Sequence, residues 1–265
     1  MAGRNFELRS MKRRAITSYG VILFTVVTSN GKNEIRYQIQ QRRDSISFQE
    51  FIKDALPLNE IEMHIGMMSK EERKRCIDYY LKDDPRSLWD DLWINHKSRI
   101  YKNDMERCCK AFRKNMEKYI DLFLDDTKGS LENSWGFAKG RKQANETEDE
   151  CAFREFEEET TISRDIVQAL KISPYEELYT GSDGKTYRTV LYIAYIPYIP
   201  EIHVKKTPDN IRTTYVSEEV SEILWCTYSE CLQKLDSHKR EILKNLNRKL
   251  LFTRRRKPPQ RRFTY

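Results

Sequence analysis

The sequence predicts an α/β fold with an all-helical stretch set inside it, on three observations. Runs rich in β-branched and aromatic residues occur near the start, as in "AITSYGVILFTVVT" at 15–28, and again downstream, as in "YRTVLYIAYIPYIP" at 187–200. Between about residues 47 and 126 such runs give way to Lys- and Glu-rich sequence with apolar residues at helical spacing, Met105, Cys108, Cys109, Phe112 and Met116 among them. After "DDTKGS" at 125–130 the strand character resumes.

The elements follow in order. "NGK" at 30–32 offers a turn between the first run and "EIRYQIQQRR", which makes a hairpin. "SWGFAKG" reads as a short strand entering a loop, and "YEELYTGSDGKTYRTVLYIAY" as two strands around a Ser-Asp-Gly turn. A single helix is expected from about Tyr228 to Leu251, followed by the basic tail "RRRKPPQRR". The domain boundaries that result are 1–45 and 129–252 for the α/β part, 46–128 for the helical insertion and 253–265 for the tail.

Composition narrows the chemistry. The six cysteines form no Cys-x-x-Cys pair and the four histidines are scattered, so neither a zinc ribbon nor a disulfide framework is indicated. No run of about 20 apolar residues is present to cross a bilayer, and the first residues lack the apolar middle of a signal peptide, so a soluble intracellular protein without a membrane partner is expected.

In a chain of net charge +7, eight of the fourteen residues from Glu146 to Glu159 are acidic. No Gly or Pro interrupts "EDECAFREFEEET", and Thr147 or Asn145 is available as N-cap, so this is a helix. On it Glu155 lies three and four places before Glu158 and Glu159, which puts the three carboxylates on one face and Ala152 and Phe156 on another. Like charges at that spacing cost a few tenths of a kcal/mol per pair. Carboxylates are the hard oxygen ligands that Mg²⁺ or Mn²⁺ prefers, and such ions bridge to phosphates. Charge alone leaves a solvated acidic face as the other reading.

The spacing resembles a family signature. Gly140, Glu146, Arg154-Glu155-Phe156, Glu158-Glu159 and Ile162 match the Nudix box, G-x5-E-x7-R-E-U-x-E-E-x-G-U, over 140–162, with Thr161 where the family has its last glycine. The resemblance implies a Nudix α/β/α sandwich with a mixed sheet, here interrupted by the helical insertion. It also implies Mg²⁺ or Mn²⁺ held by Glu155, Glu158 and Glu159, with Glu146 in support and Arg154 orienting a carboxylate. Divalent ions there would neutralise a pyrophosphate and lower the pKa of a bound water.

Residues outside the box narrow the resemblance. "WGFAKGR" at 135–141 is similar to the Trp-Gly-Phe-Pro-Lys-Gly-Lys segment of mRNA-decapping Nudix enzymes, which would turn Lys139 and Arg141 toward phosphates. "EEVSEILW" resembles their Glu-Ile-x-x-Ile-x-Trp segment, whose glutamate six places before the tryptophan is a catalytic base; that position is Glu219, with Glu218 and Glu222 as competitors. The layout, with "SFQEF" and "DGKTY", resembles the decapping enzymes of poxviruses and African swine fever virus. That implies hydrolysis of the 5′ cap of RNA to m7GDP and a 5′-monophosphate RNA, in the cytoplasm of an infected cell.

Cap recognition calls for aromatic rings around a cationic base and a carboxylate on its edge, for which Phe48, Phe51 and Tyr187, with Asp183, are the candidates. An RNA body calls for cations. Residues 97–118 hold eight Lys or Arg against three acids, and Arg107, Lys110, Lys114 and Lys118 repeat at helical spacing. The tail suits an RNA arm, a localisation signal or a solubilising end equally. A homodimer through the helical segment completes the expected partners. Two other readings stay open: a Nudix hydrolase of nucleotides or diphosphoinositol polyphosphates, and a non-catalytic RNA-binding protein of Nudix shape.

Overall fold

The computed structural model describes residues 15–29, 31–93, 99–125, 127, 133–180, 185–199 and 219–255. They divide into two compact units, one drawn from residues 1–41, 135–217 and 221–265, the other from 42–134 and 218–220.

The first unit is built on a mixed sheet whose central strand is β1 (Ile16–Ser29). The second half of β1 pairs antiparallel with β2 (Lys32–Arg42), from Phe24 opposite Tyr37 to Ser29 opposite Lys32. Two short strands come next: β3 (Trp135–Gly136) pairs with β2, and β4 (Ala138–Arg141) runs antiparallel to the first half of β1. Along its other edge β1 is parallel to β7 (Thr186–Tyr195), to which β5 (Gln168–Ala169) and β6 (Tyr175–Thr180) are antiparallel. The last strand, β8 (Val220–Thr227), pairs with β2.

Both faces of β1 are covered, which is why its sequence is a near-continuous apolar run. Tyr19, Val21 and Leu23 pack with Cys151, Ala152, Phe153 and Phe156 of the acidic helix. Ile22 and Phe24, on the opposite face, join a core with Cys231, Leu235, Ile242, Leu243 and Leu246 from the C-terminal helices. Alternation at period two thus assigns each residue its layer. Gly20 interrupts the run because β4 lies so close that a Cβ there would overlap the Ala138 carbonyl oxygen and the Lys139 Cβ.

Two helices stand where one was expected at the C-terminal end. The stretch divides into α7 (Tyr228–Lys234) and α8 (Ser237–Arg255), with Leu235 extended at ψ 152 between them. Asp236 causes the break: its side chain accepts from Lys239 N at 3.0 Å and its carbonyl from Arg240 N at 2.9 Å, starting a new helix.

The second unit is helical: α1 (Ile46–Ile52), α2 (Ile61–Met67), α3 (Lys70–Leu81), α4 (Pro85–Leu92) and α5 (Arg99–Leu124). Ser69 and Glu72 form a capping box on α3, and the buried Glu72 also accepts from Ser45 Oγ at 2.9 Å, tying the start of α1 to the start of α3. The core gathers Phe48, Phe51, Ile65, Trp89, Phe112 and Met116. This corrects the assignment of Phe48 and Phe51 to cap recognition. They are 0% and 2% exposed; Arg75 covers the Phe48 ring at 4.5 Å and Phe51 meets Phe112 edge-on at 6.1 Å. Spaced three apart on a short helix, the two rings fall on its inward stripe and offer no face to a base.

Gly20→Ala is expected to destabilise the protein by about 1–3 kcal/mol in urea unfolding, since backbone rather than a side-chain tip must move to admit the methyl.

Candidate active site

The acidic segment forms α6 (Glu148–Thr160), started by a capping box in which Thr147 and Glu150 bond each other's backbone N–H. Its buried face, Cys151, Ala152, Phe153, Phe156 and Thr160, fixes the rotation of the helix and so the direction of its carboxylates.

Arg154 organises them. Its guanidinium grips Glu146 with two hydrogen bonds of 2.9 and 2.8 Å, reaches Glu158 at 2.9 Å and Glu155 at 2.8 Å, and bonds the Arg141 carbonyl at 3.2 Å. The Arg154 hydrogen bond is the main reason that the Glu146 carboxyl sits at about 2, helped by the Gln143 backbone N–H. The same pair raises the affinity of Arg154 for its own proton. One cation against three carboxylates leaves the cluster negative.

Glu155 lies against Gly140, where a Cβ would overlap its carboxylate. The first glycine of the box is therefore a seat for the first of the three glutamates. Glu159 is held separately: its Oε2 accepts from Lys139 N at 2.9 Å and from Gln40 Nε2 at 2.6 Å. Glu158 is the most open, with 58% of its side chain exposed. Among the described residues no three His, Cys, Asp or Glu side chains are gathered tightly enough to cage an ion as they stand. The fit to a divalent cation thus lies in donor chemistry, three hard carboxylates along one helix face, rather than in a finished cage.

The helix ends on Thr161 in the left-handed region, φ 58 and ψ 14, its N–H bonded to the Glu157 carbonyl at 2.8 Å. This is the position of the family's last glycine. A β-branched residue in that region stores about 1–2 kcal/mol of strain that a glycine would not.

The remaining candidates are dispersed. Tyr187 stacks on Tyr179, its cross-strand partner, at 5.5 Å and 20°. Asp183 and most of the basic tail lie outside the described residues. Glu219 is exposed in the turn before β8, and its carbonyl accepts from Arg43 N at 2.9 Å. In the helical unit Arg107 is committed to Asp54 at 2.8 Å and Asp104 at 3.5 Å, while Lys110, Lys114 and Lys118 stay exposed. Two participants escaped the sequence reading: Gln40, buried on β2, and the Gly140–Glu155 contact. An inward polar residue in the alternating "YQIQQ" was the signal for the first; the second had none beyond the box itself.

A NUDIX domain matches residues 115–246. The mRNA-decapping protein g5R of African swine fever virus (isolate Warthog/Namibia/Wart80/1980) is 31% identical over 220 residues, 79% of this chain and 84% of that protein. The chain belongs to the Nudix hydrolase family. A protein of Acanthamoeba polyphaga mimivirus with a provisional mRNA-decapping name is 26% identical over 246 residues, 83% of this chain and 66% of its own length. Among solved structures, the chain is similar to the Ap4A hydrolase of C. elegans, at 12% identity and TM-score 0.45, over 89% of this chain and 98% of that one. Nudix hydrolases generally use divalent metals such as Mg²⁺ or Mn²⁺. No helix of the described residues is long and apolar enough to cross a membrane.

Gly140→Ala should leave the melting temperature nearly unchanged, because a flexible carboxylate can yield, yet weaken Mn²⁺ uptake at least tenfold in titration calorimetry by displacing Glu155. Thr161→Gly should raise stability by about 0.5–1 kcal/mol in denaturant unfolding, the relieved strain exceeding the entropy cost of glycine.

Proposed function

We propose that this Nudix hydrolase removes the 5′ cap of RNA, releasing m7GDP and leaving a 5′-monophosphate on the RNA. The observation that carries the reading is the ordered row Glu155, Glu158 and Glu159 on α6, oriented by Arg154 and by the Gly140 seat. Relatives that bear mRNA-decapping names support the choice of substrate.

In this reading Mg²⁺ or Mn²⁺, when bound by the three glutamates, supplies neutralising charge and a water of lowered pKa. The chain does the rest. Arg154 keeps Glu146 ionised and holds Glu155 and Glu158 in place. The Lys139 N–H and Gln40 fix Glu159. Lys139 and Arg141, on β4 beside the box, meet the phosphates of the bridge. Water adds to one phosphorus, the bridging P–O bond breaks, and its electron pair leaves on the other phosphate. The proton of the water passes to a carboxylate, for which Glu219 is the assigned base, exposed and free of the Arg154 clamp. Tyr187 serves the cap base, and Lys110, Lys114 and Lys118 the RNA body, in the cytoplasm of an infected cell.

RNA carrying a labelled cap tests this. Wild type with Mn²⁺ should release labelled m7GDP, chelation should abolish the release, and Glu159→Gln should lower it on the order of 10²-fold or more. Excess uncapped RNA should inhibit. Absence of m7GDP together with turnover of free nucleotides or diphosphoinositol polyphosphates, indifferent to uncapped RNA, would sink the proposal.

A further inference from the structure

Gln40 is a polar residue in a place where an apolar one would be cheaper. On β2 the side chains of Tyr37 and Ile39 enter the core under the C-terminal helices, so Gln38 and Gln40 alternate to the other face, on which α6 packs. Gln40 is 8% exposed, and a buried amide costs free energy unless a partner receives it. The partner is a box carboxylate. Gln40 Nε2 donates to Glu159 Oε2 at 2.6 Å, and the Lys139 N–H donates to the same oxygen at 2.9 Å. The amide oxygen turned to that place would repel the carboxylate, so the NH₂ end of Gln40 faces Glu159.

The four glutamates of the box are held in different ways. Glu146 has both oxygens on Arg154, and its Oε1 also accepts from the Gln143 N–H at 2.6 Å, which suits a support and not a ligand. Glu155 Oε1 and Glu158 Oε2 each meet the Arg154 guanidinium, at 2.8 and 2.9 Å. On Glu159 two uncharged donors, from β2 and β4, converge on Oε2. They fix the direction of the carboxylate without neutralising it. A carboxylate oxygen offers about two lone-pair positions, and on Oε2 the two N–H groups occupy them.

We propose that Gln40 is a positioning residue that restricts Glu159 to coordination through its other oxygen, Oε1, and thereby selects small octahedral ions, Mg²⁺ or Mn²⁺, against Ca²⁺. Mg²⁺ demands near-ideal octahedral geometry at about 2.0–2.1 Å and takes carboxylates sparingly, keeping several waters. Ca²⁺ takes about 6–8 oxygens at 2.3–2.6 Å and gains from a carboxylate that offers both of its own. Glu159 can offer both only by giving up a donor on Oε2, a loss that falls on the larger ion alone. The inference rests on the reading of Glu159 as a metal ligand and adds to it a residue, on another strand, that decides which ion is held.

Titration calorimetry of the full chain with MnCl₂ and with CaCl₂ tests it without any turnover. Gln40→Met keeps the length of the side chain and removes the donor; it should weaken Mn²⁺ uptake about 10-fold while Ca²⁺ binds at least as well as in wild type, so the ratio of the Ca²⁺ to the Mn²⁺ dissociation constant falls about 10-fold. Gln40→Asn, polar but one methylene short of Glu159, should shift the ratio the same way and serves if the methionine variant does not fold. A merely structural role would weaken both ions alike. An unchanged ratio in the folded variants, while Glu159→Gln loses Mn²⁺ uptake, overturns the role of Gln40 and leaves the ligand reading standing; equal uptake by Glu159→Gln and wild type overturns both. A chain that shows the shifted ratio yet releases no m7GDP keeps the role of Gln40 and loses the decapping reading.

Discussion

Arg154 bonds both oxygens of Glu146 and reaches Glu155 and Glu158, and the acidic face of α6 depends on that one guanidinium. Glutamates three and four apart on a helix repel, and with no cation among them the rotamers would splay toward water. A planar, permanently charged donor with several N–H groups can hold more than one carboxylate at fixed angles, which a lysine ammonium cannot. The neighbouring chain completes the constraint. The missing side chain of Gly140 admits the Glu155 carboxylate, and the Lys139 N–H and Gln40 hold Glu159. A helix, the strand before it and the first hairpin thereby share one small negative site.

The sheet makes that sharing precise enough to matter. β1 is buried on both faces and joins β2 and β4 on one edge to β7 on the other, so Gln40, Lys139 and the α6 core residues are placed by a single strand. Gly20 lets β4 close on β1, and the close approach carries Lys139 and Gly140 to the carboxylates. Packing far from any reacting atom therefore sets the distances of the site. The helical unit is stabilised on its own terms, by a Phe and Trp core and by the buried Glu72 that ties two helix starts together.

Several features were invisible in the sequence for identifiable reasons. Phe48 and Phe51 carry no sign of whether they face solvent or core, since an aromatic at helical spacing suits either; the helices packed around them decided it. The break between α7 and α8 turned on one Asp whose capping bonds outweighed the helical preference of its neighbours, a local competition that periodicity does not register. The contact of Tyr179 with His238 joins residues more than fifty positions apart, and only the seat of α8 brings them together.

The sequence by itself determined the α/β class, the hairpin, the helical stretch, the acidic helix, and the order of the carboxylates along it, because each depends on short-range periodicity or spacing; the choice of Thr147 over Asn145 as its cap came from the structure. That Thr161 stands where the family has a glycine was legible; its left-handed conformation was read only from the structure. Tertiary structure alone decided which backbone N–H and which amide hold Glu159, why residue 140 has no side chain, and which aromatics are buried. Those depend on the approach of segments distant in the chain, and close approach is set by the packing of whole layers rather than by the preferences of any one segment.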